Sequence, residues 1–79
     1  MSVKINLNSI EKIRNFCESA YVSPCKITLK SDIYIVNGKS ILGVFSLDLS
    51  KDIDCEIEGS DTDVENFMST LNSLDVISN

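Results

Sequence analysis

The segment GKSILGVFSLDLS, residues 38–50, places six large apolar side chains within the nine positions from Ile41 to Leu49. Ser40 stands just before this run, where a serine hydroxyl caps the N-terminus of a helix. With about 100° per residue, Val44 and Leu47 share one arc of the predicted helix Ser40–Leu49. A different arc carries the remaining apolar side chains: Ile41, Leu42, Phe45 and Leu49. A short helix on a sheet buries one arc, so the segment predicts surplus apolar surface.

Gly43 lies beside Val44 and Leu47 on the wheel, and a residue without a side chain permits close approach to a neighbouring element. We therefore expect the arc of Val44 and Leu47 to face inward. The second arc then stands partly in water as an apolar patch, and such patches often mark contact sites. The alternative is that the first or the third helix covers this arc, and the sequence leaves both possibilities open.

Outward from this segment, apolar residues alternate with polar ones in short runs, as they do in half-buried strands. These runs are Ser2–Leu7, Cys25–Leu29, Ile33–Val36 and Asp52–Glu58. Residues 30–32 form a predicted turn, so the second and third strands form a hairpin. The helical period appears in Ser9–Tyr21, where Asn8 and Ser9 are both good N-cap residues.

A last helix begins after Gly59-Ser60-Asp61 and carries an apolar stripe that ends at Leu74, while residues 76–79 are predicted to form a loose end. The predicted order is therefore β-α-β-β-α-β-α in one domain, residues 1–79. Strands with one apolar face need helices on that face only. The sequence predicts an α+β fold, an open-faced two-layer sandwich with a four-stranded antiparallel sheet covered on one face by three helices. The order of the strands does not follow from the pattern.

The composition makes several classes of function unfavourable. The net charge of −5 is spread without a basic stripe, which argues against nucleic acid and anionic membranes as partners. No apolar run spans a membrane, and the N-terminus lacks the apolar region of a secretion signal, so we expect a cytoplasmic protein. Three cysteines without motif spacing and the absence of histidine argue against a disulfide framework and a metal site. The carboxylates lie at solvated positions, and we expect neither a cofactor nor an enzyme.

The sequence NGKSILGVFSLDLS, within a chain of this predicted order, resembles the histidine-containing phosphocarrier protein (HPr) family of the sugar phosphotransferase system. The family opens its second helix with a Lys-Ser-apolar-apolar-Gly-apolar-apolar-Ser-Leu run, which residues 39–47 match. EGSDTDVENFM, residues 58–68, is similar to the family's Gly-x-Asp turn into the last helix. The resemblance implies the HPr fold, an open-faced β-sandwich.

The resemblance also implies that this chain lacks the family's phosphate acceptor. That acceptor is a histidine at the start of the first helix, in a Gly-x-His-x-Arg-Pro loop. Counting back from Ser40 without a gap places Ser9 at the histidine position and Glu11 at the arginine position. A serine does not form the labile phosphoramidate, and a glutamate repels phosphate. The implied protein is a divergent HPr without phosphohistidine carrier activity, and therefore without catalytic residues.

Ser40 matches the family's second site, a serine that a dedicated kinase phosphorylates in Gram-positive bacteria to form a corepressor. The resemblance therefore implies regulatory phosphorylation of Ser40, where a helix N-terminus and Lys39 would stabilise the added charge. The alternative is that Ser40 is only a helix cap, as any short helix benefits from one. A phosphocarrier or regulator phosphorylated on Ser40 is thus the second hypothesis for the function.

HPr partners dock on apolar residues of the second helix together with the start of the first helix. The matching apolar residues here are Ile41, Leu42, Phe45 and Leu49, and Lys39 is a basic group beside them. The resemblance implies a regulatory or protein-binding module whose partner is a phosphotransferase component or a transcription regulator. A third hypothesis is a relic domain that associates with itself through a patch at Phe45. We expect a monomer or a weak homodimer.

Overall fold

The sheet is built from four antiparallel strands. The computed structural model describes residues 1–78. Its strands are β1 Ser2–Ile5, β2 Lys26–Ser31, β3 Tyr34–Asn37 and β4 Ile53–Glu58, and they lie side by side in the order β1-β4-β2-β3. Its helices are α1 Ile10–Val22, α2 Ile41–Phe45 and α3 Asp61–Ser73. This is an α+β open-faced sandwich, which confirms the predicted fold class and the predicted order of the elements.

The alternation of the strands produces the two unlike faces of the sheet. On β4, Ile53, Cys55 and Ile57 are buried, whereas Asp54 and Glu56 lie on the open face. Cross-strand lysines pair with these carboxylates there: Lys4 Nζ lies 2.8 Å from Asp54 Oδ1, and Lys30 Nζ lies 2.9 Å from Glu56 Oε2. Because these groups are solvated, the ion pairs fix register more than they add stability.

The helices α1 and α3 bury their apolar stripes against the other face of the sheet. The rings of Phe16 on α1 and Phe67 on α3 meet edge to face, with their centroids 6.1 Å apart. Edge-to-face contact is a favoured arrangement of aromatic rings. The cysteines 17, 25 and 55 are all free and buried, as their positions on apolar faces predict. Burial raises the pKa of the Cys55 thiol to about 12, so this side chain acts as a small apolar core residue.

Gly38 allows the chain to turn from β3 toward α2. Its N–H donates to the carbonyl of Ile27 at 2.8 Å, which keeps the turn pressed against β2. A Cβ atom at this position would lie 2.5 Å from Cγ2 of Ile27. Only glycine fits there without displacing a core side chain.

The prediction of a loose C-terminal end is wrong for residues 76–78, while Asn79 lies outside the described residues. Val76 is buried, and its carbonyl accepts the Asn6 N–H at 2.7 Å. Ile77 forms an antiparallel bridge with Ile5, and the Ser78 N–H donates to the carbonyl of Lys4 at 2.8 Å. The tail thus covers the outer edge of β1. Its alternation is too short to stand out as a strand in the sequence.

We expect Val76→Ala to lower the free energy of unfolding by about 2 kcal/mol, because a fully buried side chain is truncated and leaves a cavity. Urea denaturation measures the change. Val22→Ala makes the same chemical change at an exposed position and should shift stability by no more than about 0.5 kcal/mol. Equal effects of the two substitutions would contradict a structural role for the tail.

Candidate functional site

The helix α2 is shorter than the sequence predicts, because it ends at Phe45 instead of Leu49. Ser40 caps its start, and Ser40 Oγ accepts the Gly43 N–H at 3.2 Å. Ser46 ends it: both its N–H and its hydroxyl donate to the carbonyl of Gly43. The Leu47 N–H then bonds to the carbonyl of Val44, so the chain continues in tight turns.

The inward arc of α2 lies where the sequence predicts it. Val44 is fully buried, and Leu47, in the turn just after α2, is nearly so. The backbone at Gly43 approaches Val36 of β3 so closely that a Cβ atom on the glycine would lie 3.3 Å from Cβ of Val36. This close approach seats a very short helix on the sheet edge.

The outward arc stands in solvent. Ile41 is 47 % exposed, Leu42 81 % and Phe45 49 %. Neither α1 nor α3 covers them, so the alternative of a covered core does not hold for these three residues. The placement of Leu49 on the same helical arc is wrong, because the helix ends before it. Leu49 is partly buried against the core and faces a groove beside the start of α1.

Exposed apolar side chains of α1 extend this surface. Tyr21 and Val22 line a groove of about 410 Å³ together with Cys17 and Ile41, between the end of α1 and the start of α2. The helical period in the sequence includes Tyr21, which the structure exposes, and it stops before Val22. At about 100° per residue, Tyr21 lies roughly 90° from the centre of the buried group, which is the signal that could have placed it outside. The term α2 patch is used below for Tyr21, Val22, Ile41, Leu42 and Phe45.

Lys39 is not directed toward Ser40. Its ammonium donates to the carbonyl of Ser23, the C-cap of α1, at 2.6 Å. The last turn of α1 has no basic residue of its own, so Lys39 supplies the cation that the negative end of that helix favours. The contact joins the entrance of α2 to the end of α1 and thereby shapes the groove beside Ile41.

The start of α1 carries the two residues that the resemblance places at the phosphate-acceptor site. Ser9 is the N-cap, with extended backbone and with Oγ accepting the Lys12 N–H at 3.1 Å. Glu11 lies exposed in the first turn, where the helix dipole favours a negative charge. Across a groove of about 470 Å³ lie Leu49 and Ser50. The site therefore presents a hydroxyl and a carboxylate but no imidazole, since the 79 residues contain no histidine.

The loop after α2 is held by Asp48. Its Oδ1 atom accepts the Ser50 hydroxyl at 2.6 Å and the Ser50 N–H at 3.1 Å. These two hydrogen bonds lower the pKa of the Asp48 carboxyl from its ordinary value, with a smaller contribution from Lys51. The carboxylate is thus ionised at neutral pH and holds negative charge in the loop between α2 and β4.

Two negative findings apply to the described part of the chain. Within residues 1–78, no three histidine, cysteine, aspartate or glutamate side chains are grouped so that they could hold a metal ion. Over the same residues, no helix has both the length and the apolar character needed to cross a membrane.

Similarity to solved structures defines the class of fold. The structure is similar to "HPr-C-His" from Thermoanaerobacter tengcongensis, with a TM-score of 0.72 and 23 % identity over 94 % of this chain and 93 % of that one. It is also similar to a phosphocarrier protein HPr from Bacillus anthracis str. Ames, with a TM-score of 0.69 and 23 % identity over 89 % of this chain and 94 % of that one. The fold is that of the phosphotransferase-system phosphocarriers.

The family model described as "PTS HPr component phosphorylation site" matches residues 11–75, well over half of the chain. The chain therefore belongs to the HPr family, which confirms the resemblance seen in residues 39–47 and 58–68. A search of curated protein sequences finds no match. The members of the family are phosphocarriers that interact with phosphotransferase proteins, and not catalytic enzymes in their own right.

The N-cap role of Ser9 leads to a testable prediction about stability. Ser9→Ala should lower the free energy of unfolding by about 1 kcal/mol, because the Lys12 N–H loses its cap, whereas Ser9→Asp should retain stability because aspartate caps equally well. Thermal and urea denaturation measure both. Should Ser9→Ala be as stable as the wild type, the hydroxyl would be free for another role.

Proposed function

We propose that this chain is a regulatory or protein-binding HPr-like module that does not carry phosphohistidine. Residues 1–79 act as one domain in the cytoplasm, and partners dock on the α2 patch. The observation that supports this most directly is the exposure of Ile41, Leu42 and Phe45 on α2, while Val44 on the helix and Leu47 just after it are buried.

The chemistry at the start of α1 supports the proposed absence of phosphohistidine transfer. Forward transfer of a phosphoryl group needs an acceptor whose phosphorylated form is labile, and an imidazole nitrogen supplies this whereas a serine hydroxyl does not. Ser9 uses its oxygen to cap α1, and the neighbouring Glu11 carboxylate would repel an incoming phosphate. A helix N-terminus alone attracts anions, but it does not replace the missing nucleophile.

The α2 patch supports the proposed protein-binding role. Its side chains are exposed, contiguous and large, and they lie next to a groove that Lys39 helps to form. Surfaces of this kind are typical of protein contacts, where a few aromatic and aliphatic anchors supply most of the binding energy. Phe45 is the only aromatic side chain on α2 and is the residue on which we expect docking to depend most. Lys39 and the half-buried Leu49 lie at the margins of this surface.

The docking proposal predicts that Phe45→Glu weakens binding at least tenfold, which corresponds to about 1.4 kcal/mol. The probes are purified enzyme I, the HPr serine kinase and the catabolite-control repressor, each titrated by calorimetry. Ile35→Glu is the matched control, since it introduces the same charge at another exposed apolar residue, on β3. We expect the control to bind like the wild type. Failure of all three probes to bind, or equal loss in both variants, would contradict docking on the α2 patch.

The second candidate function is regulation through phosphorylation of Ser40. Ser40 is exposed, and its hydroxyl makes a single capping bond to the Gly43 N–H. A phosphate on this oxygen keeps acceptor atoms for the same N–H and would sit at the positive end of α2. Lys39, being bound to the carbonyl of Ser23, would have to leave that contact to pair with it.

One mass-spectrometric experiment tests both phosphorylation statements. With enzyme I and phosphoenolpyruvate, the wild type should gain no phosphoryl group, whereas an HPr that carries the histidine gains one. With the serine kinase and ATP, the second candidate predicts one phosphoryl group on the wild type and on Ser46→Ala, but none on Ser40→Ala. Transfer from enzyme I would overturn the loss of carrier activity. No gain from the kinase would leave Ser40 as a helix cap only.

A further inference from the structure

Lys39 stands at the entrance of α2, yet its side chain contacts α1. Its ammonium donates to the carbonyl of Ser23, which lies 16 residues earlier in the chain. Among residues 1–78, Lys39 takes part in no salt bridge, so this cation is bound to a backbone carbonyl and not to a carboxylate. A residue that the family resemblance groups with the docking surface is thus engaged within the molecule.

Ser23 is the C-cap of α1, and its other hydrogen-bonding groups are already used. Its N–H donates to the carbonyl of Ala20 at 3.2 Å, and its Oγ atom accepts the Cys25 N–H at 3.2 Å. The next residue, Pro24, has no N–H to offer. The Ser23 carbonyl lies at the end of α1 where the helix dipole is negative, and a cation is favourable there. Lys39 supplies that cation from another element.

The last turn of α1 depends on this contact because packing holds the turn only in part. Ala20 is fully buried, but Tyr21 is 74 % exposed and Val22 79 %. These two large side chains lie outside the core and line the groove beside Ile41. Segments with few buried apolar contacts open locally at a low cost in free energy. The turn that carries half of the groove is therefore prone to fray unless a neighbouring element holds it.

The backbone of Lys39 is, by contrast, firmly fixed. Its N–H donates to Oδ1 of Asn37 at 2.9 Å, and the Ser40 N–H donates to the carbonyl of Asn37 at 3.0 Å. Just before it, the Gly38 N–H donates to the carbonyl of Ile27 in β2. Lys39 therefore projects from a turn that is anchored on the sheet. Its side chain joins the end of α1 to that anchor.

We propose that Lys39 is a positioning residue for docking, which acts from within the molecule and does not itself contact the partner. The proposal rests on the docking role of the α2 patch proposed above. The contact with Ser23 holds Tyr21 and Val22 beside Ile41, so the side chains of the two helices form one preformed surface. A partner then does not have to order them on binding, which preserves affinity.

Hydrogen exchange of the free protein tests the contact in Lys39→Met, which keeps an unbranched apolar side chain and removes the charge. The amides of Tyr21, Val22 and Ser23 should exchange roughly fivefold faster than in the wild type, because the last turn loses a cation and a hydrogen bond. Lys39→Arg should bring exchange to within about twofold of the wild type, since a guanidinium also donates to a carbonyl. Unchanged exchange in Lys39→Met would overturn the proposal.

Lys26→Met is the matched control. Lys26 is an exposed lysine at the start of β2, close in sequence to the end of α1. Within residues 1–78 it takes part in no salt bridge. The control makes the same change of charge without removing a contact to α1, so its amides should exchange like those of the wild type. Equal acceleration in both variants would contradict a specific role for Lys39.

Calorimetry with the three probe proteins used for Phe45→Glu relates the contact to docking. Lys39→Met should weaken binding by about threefold to tenfold, because the partner must then order the loosened side chains, and Lys39→Arg should restore most of the affinity. The NMR signal of the Lys39 ammonium should keep its position when a probe binds. Weaker binding of Lys39→Met without faster exchange, or a shift of that signal, would make Lys39 a partner contact and overturn the proposal.

The two measurements also separate this proposal from the proposed function. Faster exchange in Lys39→Met with unchanged affinity would overturn the positioning role and leave docking on the α2 patch intact. If no probe binds the wild type, the proposed function fails, whereas faster exchange in Lys39→Met would still support the role of Lys39 in joining α1 to α2.

Discussion

The burial of Val44 and Leu47 is the constraint on which the candidate site depends. A five-residue helix is not stable alone in water, because forming its first turn costs more free energy than so few hydrogen bonds contribute. These two anchors, together with the close approach of Gly43 to Val36, hold α2 on the sheet. With Val44 facing inward, the helical rotation of about 100° per residue turns Ile41, Leu42 and Phe45 toward solvent. The exposed apolar patch is therefore a geometrical consequence of how α2 is held.

Serine caps start all three helices without taking part in the core. Ser9, Ser40 and Ser60 each accept an N–H from the third residue after them, at the starts of α1, α2 and α3. An N-cap stands outside the core and contributes about 1 kcal/mol through that one bond. The residue at the start of α1 can therefore change without disturbing the packing of the Phe16 and Phe67 rings. Folding therefore constrains this position only through the capping bond.

Local patterns in the sequence predicted most of the elements and the inward arc of α2. Alternation on β4 and the helical period of α1 each depend on neighbours within a few residues, so the sequence expresses them directly. The strand order, the pairing of Ile77 with Ile5 and the contact of Lys39 with Ser23 join distant parts of the chain. No local period encodes such contacts. Leu49 was misplaced for a different, local reason: Ser46 bonds back to the carbonyl of Gly43 and ends the helix early.

The exposed residues of the α2 patch and of β3 allow stability and association to be separated. Phe45 and Ile35 contribute little to the core because much of each side chain remains in water in the monomer. A charge at either position therefore alters a surface without creating a buried unpaired group. Two such surfaces on one small domain lie on different elements, since Ile35 is on the open side of β3 and Phe45 is on the far end of α2. Substitutions on one surface can thus report on its contacts while the other surface serves as the reference.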